Sequence, residues 1–222
     1  MVIRYGEFVP RDLSNYPIYP RNSIYPRAWP ADGNGQFAVT TPPTEEPITV
    51  DEVKLFGRID GDYEDALILG LIKTARENAE PYLGRAIVTQ TITYAMDYWP
   101  SYVIELPRAG GLIAITKVVT LDEDDTETVY SSDNYYSDTL SEPGKLIIRQ
   151  TATLPYNSDR SHGGYQIVYT AGYGSASDVP EGLKTGLKLW VMHGYENRTL
   201  SKDPPPEARG YINNYKISKG LR

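Results

Sequence analysis

The sequence contains no cysteine and only two histidines among its 222 residues. The absence of cysteine excludes disulfide bonds, thiolate zinc sites and cysteine nucleophiles. No run of about 18 apolar residues is present, and no charged stretch followed by an apolar one begins the chain, so neither a membrane span nor a secretory leader is predicted. We therefore expect the chain to stay in the compartment where it is made.

Phosphate-binding motifs are also missing. The segment YTAGYG at residues 169–174 follows a predicted strand and precedes a predicted helix, as a nucleotide-binding loop would. It has no third glycine, however, and the helix begins several residues later, so it fits neither the dinucleotide fingerprint nor the P-loop. We interpret it as a bend in which glycine permits positive φ.

Metal-binding and catalytic motifs fail similar tests. The acidic stretch 60–65 lacks the glycine and the closing glutamate of a calcium loop, so helix capping explains its acids better. The acidic stretch 122–125 lies between two predicted strands and is interpreted as a solvated hairpin turn. Neither His162 nor His193 belongs to a visible triad or ligand set. We therefore expect no catalytic residue, no metal and no cofactor.

The net charge of −7 is unevenly distributed. Residues 48–198 carry 22 acidic and 13 basic side chains, whereas residues 199–222 carry 2 acidic and 5 basic ones. Because nucleic-acid affinity comes largely from lysines and arginines that neutralise phosphates, we expect the acidic body not to bind DNA.

The first 47 residues are rich in proline, with eight of the 17 prolines. In the run SNYPIYPRNSIYPRAWP, four aromatic residues precede prolines: Tyr16, Tyr19, Tyr25 and Trp29. Proline fixes its own φ and biases the preceding residue toward extended geometry, so residues 1–47 are predicted to form an extended arm. The arm is either a disordered leader or a segment whose rings dock into grooves of a partner, and its aromatic content favours docking.

Residues 49–84 are predicted to form two helices. Thr49 and Glu52 fit the S/T-x-x-E capping box that begins a helix. Asp62 is expected to cap the second helix, which has apolar residues at 3.6-residue spacing and is closed by Gly84.

Between residues 86 and 171 the apolar period changes to two. The runs separated by turn residues are IVTQTITYAM, YVIELP, LIAITKVVTL, ETVY, KLIIRQ and YQIVYT. Short strands without intervening helices indicate antiparallel pairing. A third, longer helix is predicted over residues 179–198, with Pro180 as its first residue. The predicted fold class is α+β: a helical body of two N-terminal helices and one long C-terminal helix, an inserted small antiparallel β-sheet or barrel, and extended termini.

Two further features are candidate contact surfaces. One side of the third helix carries three glycines, Gly182, Gly186 and Gly194. Each lowers the stability of the helix by about 1 kcal/mol relative to alanine, and close approach of a neighbouring helix would compensate for this loss. Solvent-facing glycines are the alternative. The basic tail, residues 199–222, is either a frayed terminus or a segment that becomes ordered on a partner. Its candidate contact residues are Tyr211, Ile212, Tyr215, Lys216, Lys219 and Arg222.

A family resemblance emerges from the segment PITVDEVKLFGRIDGDYEDALILGLIKTARENAEPYLGRAIVTQT and the later YTAGYG, VPEGLK and HGYENR. In their order and spacing, these segments resemble the gp6-like head–tail connector (adaptor) proteins of tailed bacteriophages, which include gene transfer agent adaptors. The resemblance covers about residues 48–198, between the arm and the tail.

The resemblance implies a structural protein of the virion neck that assembles in the host cytoplasm. Copies would form a ring, dodecameric by the resemblance, that docks on the portal protein and meets the tail or a stopper protein. DNA would pass through without specific binding, and no membrane would be involved. The C-terminal tail would reach into the portal. A closed ring also needs two different complementary faces on each subunit, and the glycine-bearing helix is a candidate for one.

Two other functions stay open. One is a neck stopper or tail-completion protein, and the other is a virion-associated β-rich carbohydrate-binding or hydrolase module, for which no pair of catalytic carboxylates is visible. We also expect the body to fold alone, while both termini become ordered only in the assembled neck.

Overall fold

The computed structural model describes residues 35–155 and 160–217. These residues form four α-helices and eight β-strands. The helices are α1 (Val50–Gly57), α2 (Asp65–Leu83), α3 (Glu181–Asn197) and α4 (Pro206–Ile212). The strands are β1 (Gln36–Thr41), β2 (Gln90–Met96), β3 (Val103–Glu105), β4 (Leu112–Leu121), β5 (Glu127–Tyr130), β6 (Tyr135–Asp138), β7 (Lys145–Ile148) and β8 (Tyr165–Ala171). The α+β class is confirmed.

The capping box at the start of α1 is present as predicted. The Thr49 amide donates to Glu52 Oε2 at 2.7 Å, and the Glu52 amide donates to Thr49 Oγ1 at 3.1 Å. Ile48, just before the cap, and Val53 are both buried in the helical core. This reciprocal pairing satisfies two backbone donors that the first turn would otherwise leave free.

Helix α2 ends as predicted but begins differently. Gly84 has φ 72° and its amide donates to the Glu80 carbonyl at 2.9 Å, which closes the helix. The prediction that Asp62 caps α2 is wrong. Its carboxylate accepts instead from Lys54 Nζ at 2.8 Å, and this hydrogen bond holds the pKa of Asp62 below its usual value. Lys54 also binds Asp65 at 2.9 Å, so it joins α1 to the start of α2.

Helix α3 covers most of the predicted range, 179–198. Pro180 is the residue before the first helical turn and has extended geometry, so it caps α3 instead of beginning it.

The strands form two antiparallel sheets. A five-stranded sheet has the order β1-β2-β8-β4-β5, and a three-stranded sheet has the order β3-β7-β6. In the larger sheet β8 is central, with Ile92 of β2 opposite Tyr169 and Val118 of β4 opposite Ile167. Antiparallel pairing was predicted, but strand β6 was not.

Strand β1 corrects the prediction of an extended arm over residues 1–47. Residues 36–41 are an edge strand of the larger sheet, with Phe37 opposite Tyr94. This segment, QFAVTT, is proline-free and rich in β-branched residues, which favours a strand. Glu45 and Glu46 also bind the body: Glu45 accepts from the Ala176 amide at 2.8 Å, and Glu46 accepts from Arg76 Nε at 2.7 Å.

The YTAGYG segment is a bend, as predicted. Gly172 and Gly174 have φ values of 140° and 131°, which favour glycine. The Tyr173 amide donates to the Ile87 carbonyl at 3.0 Å, and the Thr89 amide donates to the Gly174 carbonyl at 2.9 Å. The bend therefore fastens the end of β8 to the segment between α2 and β2.

Two apolar cores lie on either side of this segment. The helical core contains Ile68, Ile72, Leu83, Leu187 and Trp190 among its fully buried members. The sheet core contains Ile92, Met96, Leu146, Ile167 and Tyr169.

A buried carboxylate connects the two parts. Glu80, on α2, is only 2% exposed, and its Oε1 accepts from the Ile87 amide at 3.2 Å and from Gln90 Nε2 at 3.1 Å. Its Oε2 lies 3.7 Å from a guanidinium nitrogen of both Arg76 and Arg108. Burial raises the pKa of Glu80, and the hydrogen bonds and arginines oppose that rise. The carboxylate thus joins α2 to the first turn after it, to β2 and to the β3–β4 loop.

We expect Glu80→Ala to lower the free energy of unfolding by about 3 kcal/mol, because it leaves buried donors and cations without their acceptor. The control is Glu77→Ala, which removes an exposed carboxylate 3.6 Å from Arg76 and should cost less than about 0.5 kcal/mol. Urea unfolding of the two variants measures both values. Equal losses would contradict the role assigned to Glu80.

Candidate assembly surfaces

Six of the predicted contact residues lie outside the described part of the chain. They are Tyr16, Tyr19, Tyr25, Trp29, Lys219 and Arg222. Their contact with a partner stays a prediction.

The glycine face of α3 is occupied by the chain itself. A Cβ added to Gly186 would lie 2.7 Å from Ile212, and one added to Gly182 would lie 2.5 Å from the Tyr215 hydroxyl. A Cβ on Gly194 would lie 2.5 Å from Leu200. The close approach predicted from these glycines is therefore present, but the approaching segment is the chain's own C-terminal region. While that region is in place, this face is closed to another subunit.

The C-terminal tail is folded where the structure describes it, which corrects the prediction of an extended tail. Ala208 and Ile212 are fully buried against the helical core. Beyond α4, the Ile217 amide donates to the Leu83 carbonyl at 2.9 Å, and Lys216 Nζ lies 4.0 Å from the centre of the Tyr82 ring. Apolar residues one turn apart after a proline at the first helical position explain this short helix.

The tail residues predicted as contacts therefore divide into two groups. Ile212 is buried and Tyr215 is partly buried against the core, so neither projects toward a partner. Tyr211 remains 45% exposed. Among the described tail residues, Tyr211 thus keeps the most exposed aromatic ring.

We expect Gly186→Ala to lower the free energy of unfolding by about 1–3 kcal/mol, because the new methyl group overlaps Ile212 in a packed contact. Amide exchange in residues 206–212 should accelerate as α4 loosens. Gly210→Ala is the matched control, since a Cβ there meets nothing within 4 Å and should raise stability by up to about 1 kcal/mol. Changes of the same sign in both variants would argue against a close α3–α4 contact.

A groove that was not predicted lies between the end of α1, the outer side of α3 and α4. Its volume is about 340 Å³, and it is lined by Phe56, Gly57, Arg58, Leu189, Met192, His193, Glu196 and Glu207. Its lining combines apolar side chains with charged ones. His193 Nδ1 lies 2.9 Å from Glu207 Oε1, which joins α3 to α4 at the groove.

One sequence signal could have indicated this groove. Leu55 and Phe56 stand at the end of α1, and both are exposed in the structure. Apolar side chains that a short helix does not bury often mark a contact surface. The distant half of the groove, on α3, depends on tertiary packing.

A second cavity, of about 360 Å³, lies beside β5 and is lined by Thr120, Thr128, Val129, Tyr130, Asn134, Thr151, Ala152, Thr153, Leu154 and Pro155. This described lining contains no carboxylate and no histidine.

The other polar candidates have structural roles. Asp122 Oδ1 accepts from the amides of Asp124 and Thr126 at 3.0 and 2.8 Å, which confirms the predicted hairpin turn. His162 is exposed, with Nδ1 3.4 Å from Asp97. In residues 35–155 and 160–217, no cluster of three or more histidine or acidic residues could hold a metal ion. No helix of this part is long and apolar enough to cross a membrane.

Helices α1 and α2 and strands β2 to β6 lie in the part of the chain that matches a known protein family. Residues 47–142 match the phage gp6-like head–tail connector family. The connector match confirms the resemblance drawn from the sequence. It begins just before α1 and ends after β6.

Similarity to solved structures covers more of the chain than the family match does. A chain from the neck of an empty gene transfer agent particle, computed with C6 symmetry, has a TM-score of 0.72 and 20% identity, over 84% of this chain and 97% of that one. A chain from the virion of a native gene transfer agent particle has a TM-score of 0.69 and 22% identity, over 83% and 97%. A chain from the neck of a native particle, computed with C12 symmetry, has a TM-score of 0.66 and 20% identity, over 84% and 97%. No curated protein sequence matches this chain.

Proposed function

We propose that the protein is a structural head–tail adaptor of a tailed phage. Copies form a ring in the virion neck that docks on the portal protein, surrounds the path of the DNA and meets the tail or a stopper protein. Assembly takes place in the host cytoplasm.

One observation carries the proposal. The connector family match contains α1, α2 and strands β2 to β6, and the fold shared with neck chains covers 84% of this chain and nearly the whole length of those chains. No inserted domain is needed to explain the remaining described residues, because β1 and α4 pack onto the same body. The body therefore has the extent expected of a neck subunit.

Ring formation is supported by the symmetry of the similar particles. Necks that contain chains of this fold were computed with C6 and C12 symmetry. Cyclic assemblies of identical chains use two different faces on each subunit, which close by rotation. The exposed side of α2 and the groove beside α3 are two such different faces.

The net negative charge of the body is compatible with a channel through which DNA passes. Residues 48–198 carry nine more acidic than basic side chains, from 22 acidic and 13 basic ones. A net negative surface does not attract the DNA backbone, because attraction requires cations that replace its counterions. A ring of such bodies can surround a duplex and let it slide.

The test is co-expression of the full chain with the portal protein of the same genome, followed by electron microscopy of the purified complex. We expect a second ring stacked on the portal. Association with a tail component but not with the portal would contradict the adaptor assignment and indicate a stopper. Absence of both associations would contradict a neck role altogether.

A variant that lacks residues 218–222, the last part of the tail, keeps every described residue. If those residues reach into the portal, the variant should fold normally and bind the portal more weakly. Equal portal binding by the shortened and the full chain would contradict that reach.

A further inference from the structure

The helical layer has two exposed surfaces that the chain itself leaves uncovered in its described part. The first, which we call the α2 face, contains Ala66, Leu69, Gly70 and Lys73. The second is the groove lined by Phe56, Leu189, Met192 and Glu196.

The α2 face is apolar at its centre and carries one cation. Leu69 is 51% exposed, and a Cβ added to Gly70 would meet nothing within 4 Å. A glycine inside a helix lowers the stability of the helix by about 1 kcal/mol relative to alanine. No close contact within residues 35–155 and 160–217 explains why glycine stands at this position. Lys73, one turn further on, is exposed and forms no ion pair within the same residues. An approaching surface would account for both.

The groove has the complementary properties. Its apolar lining residues are Phe56, Leu189 and Met192, and its volume of about 340 Å³ is ample for a leucine side chain. Glu196 also lines the groove, as does Arg58, and Glu196 forms no ion pair in the described part of the chain. The groove can therefore receive an apolar side chain beside a lysine.

The two surfaces lie on opposite sides of α3. Helix α2 packs on the side of α3 that contains Gly194, where a Cβ would lie 3.3 Å from Leu71. Helix α4 packs on the side that contains Gly186, and Met192 faces Gly57 at the end of α1. At 3.6 residues per turn, Leu189, Met192 and Glu196 point away from α2. One copy cannot bring the α2 face into its own groove.

We propose that the α2 face of one copy docks into the groove of the next, with Leu69 on its apolar lining and Lys73 paired with Glu196. This inference rests on the proposed ring and names its subunit interface. The contact is heterologous, since it joins two different surfaces, and repetition around an axis can close it. Gly70 lets the neighbouring helix approach closely.

A second copy is the occupant that the observations favour. Both halves of the contact are present on the same chain: each has exposed apolar side chains, and Lys73 on one half can pair with Glu196 on the other. Similar chains are arranged around an axis in the necks computed with C6 and C12 symmetry. A different protein in the groove would leave the α2 face uncovered.

Because the chain contains no cysteine, introduced cysteines can test the interface by disulfide cross-linking without competing native thiols. In the variant with Leu69→Cys and Met192→Cys, one thiol is on α2 and the other is on the side of α3 that points away from α2. We therefore expect no disulfide bond within one chain. We expect mild oxidation of rings on the portal to give a ladder of covalently linked copies. The control variant, Leu69→Cys with Leu140→Cys, places the second thiol on an exposed hairpin tip and should give no ladder.

Charge reversal tests the lysine–glutamate pair. Lys73→Glu or Glu196→Lys should each weaken ring assembly at least tenfold, and the double variant should restore it. Both residues are exposed, so thermal unfolding of the single chain should not change. Lys117→Glu makes the same charge change on strand β4 of the larger sheet and should leave assembly intact.

The outcomes separate this interface from the proposed function. If the unaltered chain forms no ring with the portal, the adaptor function and the interface are both overturned. If it forms rings while the single reversals assemble normally and the cysteine pair gives no ladder, the interface alone is overturned. A ladder together with rescue by the double reversal establishes it.

Discussion

The Glu80 carboxylate determines how the helices sit against the sheet, because it is the acceptor that both parts share. It binds the Ile87 amide and Gln90 on the sheet side and lies beside Arg76 on its own helix. A buried charge is tolerated only when hydrogen bonds and opposite charges surround it. The bend at Gly172 and Gly174 fastens the same junction from the other side. Together these contacts make the body one packed unit, so its outer surfaces hold fixed relative positions.

That packing decides which surfaces remain for assembly. The C-terminal segment folds back onto α3, and Ile212 fills the space above Gly186. The glycines thus serve contacts within the chain, whereas the α2 face and the groove beside Met192 are among the surfaces that stay uncovered in its described part.

The sequence predicted features whose causes are local. The capping box at Thr49, the left-handed Gly84 and the YTAGYG bend follow from backbone chemistry within a few residues. Features that depend on distant partners were missed. Strand β1 forms because it can pair with the edge of β2. Helix α4 forms because it packs on an apolar face of α3. Asp62 accepts a hydrogen bond from Lys54 instead of capping α2. Only the α1 side of the groove has a signal in the sequence, the apolar pair at the end of that helix, since the rest of the lining comes from α3 and α4, which are distant in the chain.

The most direct test is a symmetric reconstruction of the neck in particles of the phage that encodes this chain. We expect a ring next to the portal whose density fits the four helices and two sheets, with each α2 against the groove of its neighbour. Density for this chain elsewhere in the particle, or a ring whose subunits touch through other surfaces, would contradict the placement or the interface respectively.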